Sequence, residues 1–239
     1  MQSTYSIGLS EHGSRMRDAH STMCAAAFRT ALVELNDIIE AYRIVIEIIA
    51  SAASRAMEAY LPSNADSART EGIISGFIVG LTLVEHSILN GYTAQAASLV
   101  RQELEAVAAL EEIKVKRRTD GKTPNVRHLS NIPGHFYSDL SELTHFSRAS
   151  ALRLISQYRG EDPHAPENTE QWLLSPQYVP NTTRQLFALH TVLLLQFSLH
   201  QSAHYASFQG TEPSAIQDSL KFRQAVEILE RAGVVESGD

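Results

Sequence analysis

The feature that most constrains this chain is a series of apolar residues at alternating spacings of four and three: Phe28, Leu32, Leu35, Ile39, Tyr42, Ile46, Ile49, Ala53, Ala56 and Tyr60. An α-helix brings positions three and four apart onto one face, so a seam held over several turns predicts a long helix. Ala31, Ile38, Val45 and Ile48 widen the seam beyond that of a two-stranded coiled coil, which points to a helix inside a bundle. Pro62 is expected to stop it.

The rest of the chain reads in the same code. A second helix is predicted from about Asp66 to Asn90, with Gly76 and Gly80 one turn apart and Gly91 just past its end. Thr93 is expected to cap a third helix that runs to about Arg118. After the turn-rich TDGKTPNVRHLSNIPG, a fourth helix is predicted from His135 to about Arg159. Residues 160–180 hold four prolines and the one tryptophan, Trp172, and read as irregular. Asn181 or Thr182 is expected to cap a fifth helix, and Ser214 to Ala232 forms the last, ended by Gly233. The expected architecture is an all-α, single-domain helical bundle of about six helices. Residues 1–20 read as a polar N-terminal arm, 21–233 as the bundle and 234–239 as a short polar tail.

Composition narrows the function classes. With 44% hydrophobic and 20% charged residues over 239 positions, the chain has a globular profile and enough length for its own core. A formal charge of -7 gives no electrostatic footprint for nucleic acid, so no nucleic-acid partner is expected. The one basic cluster, KVKRR at Lys114–Arg118, falls where the third helix should end, and cations there complement the helix dipole. A lone cysteine, Cys24, excludes an internal disulfide framework and reads as a small packing residue. The first twenty residues have no apolar segment after a basic start. The longest apolar run, Gly72–Val84, is shorter than the ~20 residues a bilayer needs. A cytoplasmic, soluble protein without a membrane partner is expected.

The polar groups inside the apolar arcs are the candidates for chemistry. In RQLFALHTVLLLQFSLHQSAH, His190, His200 and His204 share the arc of Leu186, Leu193, Leu194, Phe197 and Phe208. Glu103 sits amid Ala96, Leu99, Val100, Ala106, Val107, Leu110 and Ile113, and a buried carboxylate is costly unless it is paired, neutral or on a metal. His200 and His204 lie one turn apart and could share an ion, whereas His190 is about 15 Å back along the axis. The spacing therefore nominates His200, His204 and Glu103 as ligands of a divalent transition metal, since bundles build such sites from facing helices. Glu142 and His145 supply a single Glu-x-x-His, half of a di-iron pattern. The competing reading is a polar layer in which the histidines bond to Glu103, serines or carbonyls. Ser141 and His145 stand on a second stripe of the fourth helix, with Arg148 and Leu152, and are the catalytic candidates.

Two resemblances bear on function. LVRQELEAVAALEEI followed by YSDLSELTHFSRAS resembles an uncharacterised prokaryotic all-helical family, the DUF5677-like proteins, with an Arg-x-x-x-Glu helix and a Tyr-x-x-Leu-Ser-x-x-x-His helix. The matching positions are Arg101, Glu105, Tyr137, Leu140, Ser141 and His145, and the resemblance implies a helical fold without an activity. The spacing of Arg184 and His190, and of Arg15 and His20, is similar to the Arg-x(4–6)-His of HEPN-like ribonucleases, a pattern short enough to arise by chance. The function expected is that of a helical-bundle interaction protein, a homodimer with a His/Glu layer in its interior. The alternatives are a metal-dependent enzyme with a His/carboxylate site and a HEPN-like ribonuclease.

Overall fold

The computed structural model describes residues 10–57, 64–129, 135–144, 157–158, 171–172, 175–209 and 213–236. Among these residues there are seven α-helices: α1 (Glu11–Glu34), α2 (Asn36–Ala56), α3 (Ala65–Leu89), α4 (Thr93–Lys114), α5 (His135–Thr144), α6 (Pro180–Gln209) and α7 (Pro213–Arg231). A 3-10 turn covers Val126–His128, and a two-residue antiparallel ladder pairs Gln157 with Trp172 and Tyr158 with Gln171. The all-α bundle expected from periodicity is the fold of the described residues.

The seventh helix comes from a break in the first. The heptad-like seam runs unbroken through Leu35, but the backbone there leaves helical geometry at φ -104°, ψ 11°. The carbonyl of Leu35 accepts from the amides of both Ile38 and Ile39 at 2.9 Å. Beyond the break, Ile38, Tyr42, Val45, Ile49 and Ala52 are buried, with α2 packed on α6 and α7. Before it the seam fails: Phe28 and Leu32 are exposed, and α1 buries only Ala27 and Ala31. The part of the expected arm that is described, residues 10–20, is corrected to helix from Glu11. Ser10 accepts from the amide of Gly13 as an N-cap, so helix begins at Glu11.

Helix ends follow backbone chemistry. Past α3, Gly91 takes φ 79°, while the amides of Gly91 and Tyr92 return to the carbonyls of Ile88 and Ser87, a Schellman motif. A side chain at Gly91 would also run into the backbone of Gln177, whose amide donates to the Gly91 carbonyl at 3.3 Å. The same motif ends α4, with Lys116 at φ 57°, and α7, with Gly233 at φ 69°. Past the end of α4, in the expected basic cluster, Arg118 turns back to pair with Glu112 at 3.2 Å. Two expected caps are replaced. Tyr92, not Thr93, occupies the N-cap of α4, and α6 opens with Pro180 in its first turn, where a missing amide costs nothing. The helix expected to reach Arg159 does not include Gln157 and Tyr158, which pair in the ladder. Residues 145–156, Tyr60 and the side chain of Phe208 lie outside the described residues.

Helix α6 is the axis of the molecule. It touches α1, α2, α3 and α4, and its Phe187, Leu193, Leu194 and Phe197 are fully buried. Phe197 stacks on Phe77 of α3 with ring centroids 4.0 Å apart and planes 5° from parallel. Helix α3 is long and apolar enough to cross a membrane by length and composition. Its best 18-residue window has a mean hydropathy of 1.7, and 39% of that window is buried in the fold.

Candidate functional site

The three histidines of α6 point into protein, as their shared arc requires, but each meets a different carboxylate. His190, fully buried, has its Nδ1 2.7 Å from Glu103 Oε2. His200 Nε2 lies 3.4 Å from Glu111 Oε2, and His204 Nε2 lies 2.8 Å from Glu71 Oε1. Tyr205 also donates to Glu71, at 3.5 Å. The expected convergence of Glu103, His200 and His204 on one metal is therefore not found. Among the described residues no group of three His, Cys, Asp or Glu side chains is placed to hold an ion.

The reason is register. Glu103 and Glu111 are eight residues apart on α4, about 12 Å at 1.5 Å per residue, and His190 and His200 are about 15 Å apart on α6. The two pairs climb the two helices together, so Glu103 stands level with the one histidine that the spacing argument had set aside. A helical face can be read from spacing alone; the axial offset between two helices cannot.

Among the described ion pairs Glu103–His190 is the most deeply buried, with side chains 6 and 0% exposed. Burial holds the Glu103 carboxyl above the ordinary carboxylate range, with His190 opposing that rise. The Tyr42 ring of α2 lies 5.7 Å from the His190 ring, and burial together with the Glu85 carboxylate that accepts from it pushes the Tyr42 hydroxyl up. Helices α2, α3, α4 and α6 thus each give one polar side chain to the centre. Among the described residues the layer is incompletely satisfied: Glu103 Oε1 and His190 Nε2 are buried without a hydrogen-bond partner. An orphaned buried polar atom costs about 1–3 kcal/mol, so both need an explanation.

Glu103 also lines a groove of about 380 Å³ between α3 and α4, together with Gly72, Gly76 and Gly80. Across Gln102 and Glu105 this groove adjoins a second hollow of about 350 Å³, lined also by Ser98, Arg101 and Thr144. At its edge Arg101 donates to Tyr137 Oη at 2.8 Å and to Glu105 at 3.2 Å, while Tyr137 donates to Glu105 at 3.0 Å. The Arg101 guanidinium lies 4.9 Å from the centroid of the Tyr137 ring. Three residues nominated by the family resemblance therefore close into one hydrogen-bonded cluster joining α4 to α5.

The other candidates separate. Ser141 spends its hydroxyl on the Tyr137 carbonyl one turn back, at 2.7 Å, and its catalytic partner of the sequence reading, His145, lies outside the described residues. Arg184 forms a two-bond ion pair with Asp37 at 2.9 and 2.6 Å, which holds the Asp37 carboxyl below its usual range. His190 is sealed in the core, so these two do not form an exposed Arg/His site for RNA. Cys24 donates to Tyr92 Oη at 3.2 Å in a cleft of about 930 Å³ under α1. Spacing missed Glu71, Glu85 and Glu111 as histidine and tyrosine partners. Glu71 and Glu85 carried a weak signal, since they bound the longest apolar run of the sequence. Comparison with protein-family models, with curated proteins and with solved structures finds no match to this chain.

Proposed function

We propose that this chain is a non-enzymatic interaction module that pairs with a second copy of itself through the Phe28–Leu32 stripe of α1. The observation that carries the reading is the poverty of burial on that helix. Over 24 residues it buries only Ala27 and Ala31, while Phe28 and Leu32, one turn apart on one stripe, are 38 and 39% exposed. A helix of this kind gains its stability from packing an apolar face, and outward apolar residues on one helix mark a contact surface. Phe28 also lines the cleft of about 930 Å³ beside α1, where a second copy has room to seat side chains.

In this reading the Glu103–His190 layer sets how the helices stand against one another, as buried polar groups do at helix interfaces. The protein is soluble and cytoplasmic, with α3 as a core helix rather than a membrane span. Ile74, Phe77, Leu81, Val84 and Ile88 of α3, buried in the core, support that assignment. The closed Arg101–Glu105–Tyr137 cluster supports kinship with the DUF5677-like proteins, at the residues where the sequences are similar.

Light scattering behind size-exclusion chromatography tests the pairing. The expected mass is twice 26.4 kDa, falling to one copy in a Phe28→Glu, Leu32→Glu double variant. A single-copy mass for the unaltered chain at every concentration would remove the proposal.

A further inference from the structure

We propose that the groove between α3 and α4 is a binding site for a small organic cation: a primary ammonium group carried on a compact apolar body. The inference stands apart from the pairing through α1, because no residue of that helix lines the groove.

One wall is made of absence. Gly72, Gly76 and Gly80 recur at every fourth residue of α3, and a Cβ placed on any of them would meet nothing within 4 Å. Glycine destabilises a helix interior relative to alanine, and a close-packed neighbour is the usual compensation. Among the described residues no neighbour comes close enough to require it. What the glycines preserve is the open groove itself, about 380 Å³, within the range of small-molecule sites.

The opposite side supplies the chemistry. Glu103 of α4, 5% exposed, lines the groove; one of its oxygens takes His190 and the other has no donor among the described residues. When the carboxylate is ionised and the imidazole is neutral, donating through Nδ1, the pair presents an acceptor that has no donor among the described residues and a net negative charge. An ammonium group answers both needs, supplying N–H donors and the opposite charge. The basic side chain at the rim does not do so, since Arg118 is engaged with Glu112 and with the Lys122 carbonyl. Ile73, Phe77, Leu99 and Ala106 make the remainder apolar, which asks for an apolar body of a few carbon atoms.

The test titrates the full-length protein with butylammonium, cyclohexylammonium and benzylammonium chlorides, each beside the alcohol of the same shape, by calorimetry and by protein-observed NMR. The expected result is saturable binding of at least one ammonium probe, at least tenfold tighter than its alcohol. Glu103→Gln should weaken it at least tenfold, and Gly76→Leu, whose side chain enters open space and fills the groove, should abolish it. If Glu103→Gln does not fold, Gly76→Leu and Gly72→Leu decide the question together with the ammonium-to-alcohol ratio. Absence of saturable binding by all three cations, equal binding of the alcohols, or binding that survives Gly76→Leu would each overturn the proposal.

Discussion

Helices α1 and α6 are both long, 24 and 30 residues, and both carry several histidines or aromatic residues at helical spacing. One is buried along most of its length and the other almost nowhere. On α6 the polar side chains are answered from other helices: His190 by Glu103, His200 by Glu111 and His204 by Glu71. On α1 the Arg15–Glu11 ion pair is local, one turn apart, while Cys24 reaches Tyr92. The difference teaches that a periodic apolar face states which side of a helix prefers to be covered, not whether its own chain covers it. Core and interface have the same sequence signature.

Substitutions on the two helices should separate these roles. The largest effect is expected from Phe197→Ala, which empties the stack against Phe77 and should cost about 3–5 kcal/mol in urea denaturation. The formally similar Phe28→Ala on α1 should cost under ~1 kcal/mol in fold stability, measured at a concentration where the protein is a single copy. Equal losses would break the comparison.

The pH dependence sharpens it further, because burial shifts Glu103 and His200 where α6 meets its neighbours. Glu103 has its proton affinity raised by folding, so its contribution is present below the ordinary carboxyl pKa of 4.5 and is lost as pH rises. Stability of the unaltered protein should therefore decline relative to Glu103→Gln as pH increases from about 4.5, read from urea midpoints. His200 behaves oppositely: burial depresses its affinity despite Glu111, so its contribution is present above 6.5 and is lost as pH falls. A His200→Gln variant should lose less stability than the unaltered protein between pH 7 and pH 5. The smallest effect belongs to Arg184→Ala, at most about 1 kcal/mol, since its ion pair with Asp37 is substantially exposed.

Much of this was legible in the sequence, and the failures have a common cause. The angle of a side chain around its helix follows from position, so Glu103 and the three histidines were rightly turned inward. The helix ends at Gly91 and Gly233 were legible because a positive φ favours glycine. Axial register was not legible, which is why a metal triad was expected where separate pairs occur. Nor was the break at Leu35, where neither proline nor glycine marks the turn and the apolar spacing continues unchanged. The exposure of Phe28 and Leu32 could not be read either, because periodicity is silent about which neighbour arrives. The orphaned oxygen of Glu103 is a property of three helices at once, and no single segment encodes it.

The measurement that most directly tests the account is the solution mass of the unaltered chain, followed by dilution. The account predicts two copies, dissociating on dilution and reduced to one by the Phe28→Glu, Leu32→Glu double variant with the helical circular-dichroism signal retained. One copy at all concentrations, or a pair indifferent to that double variant, would contradict it.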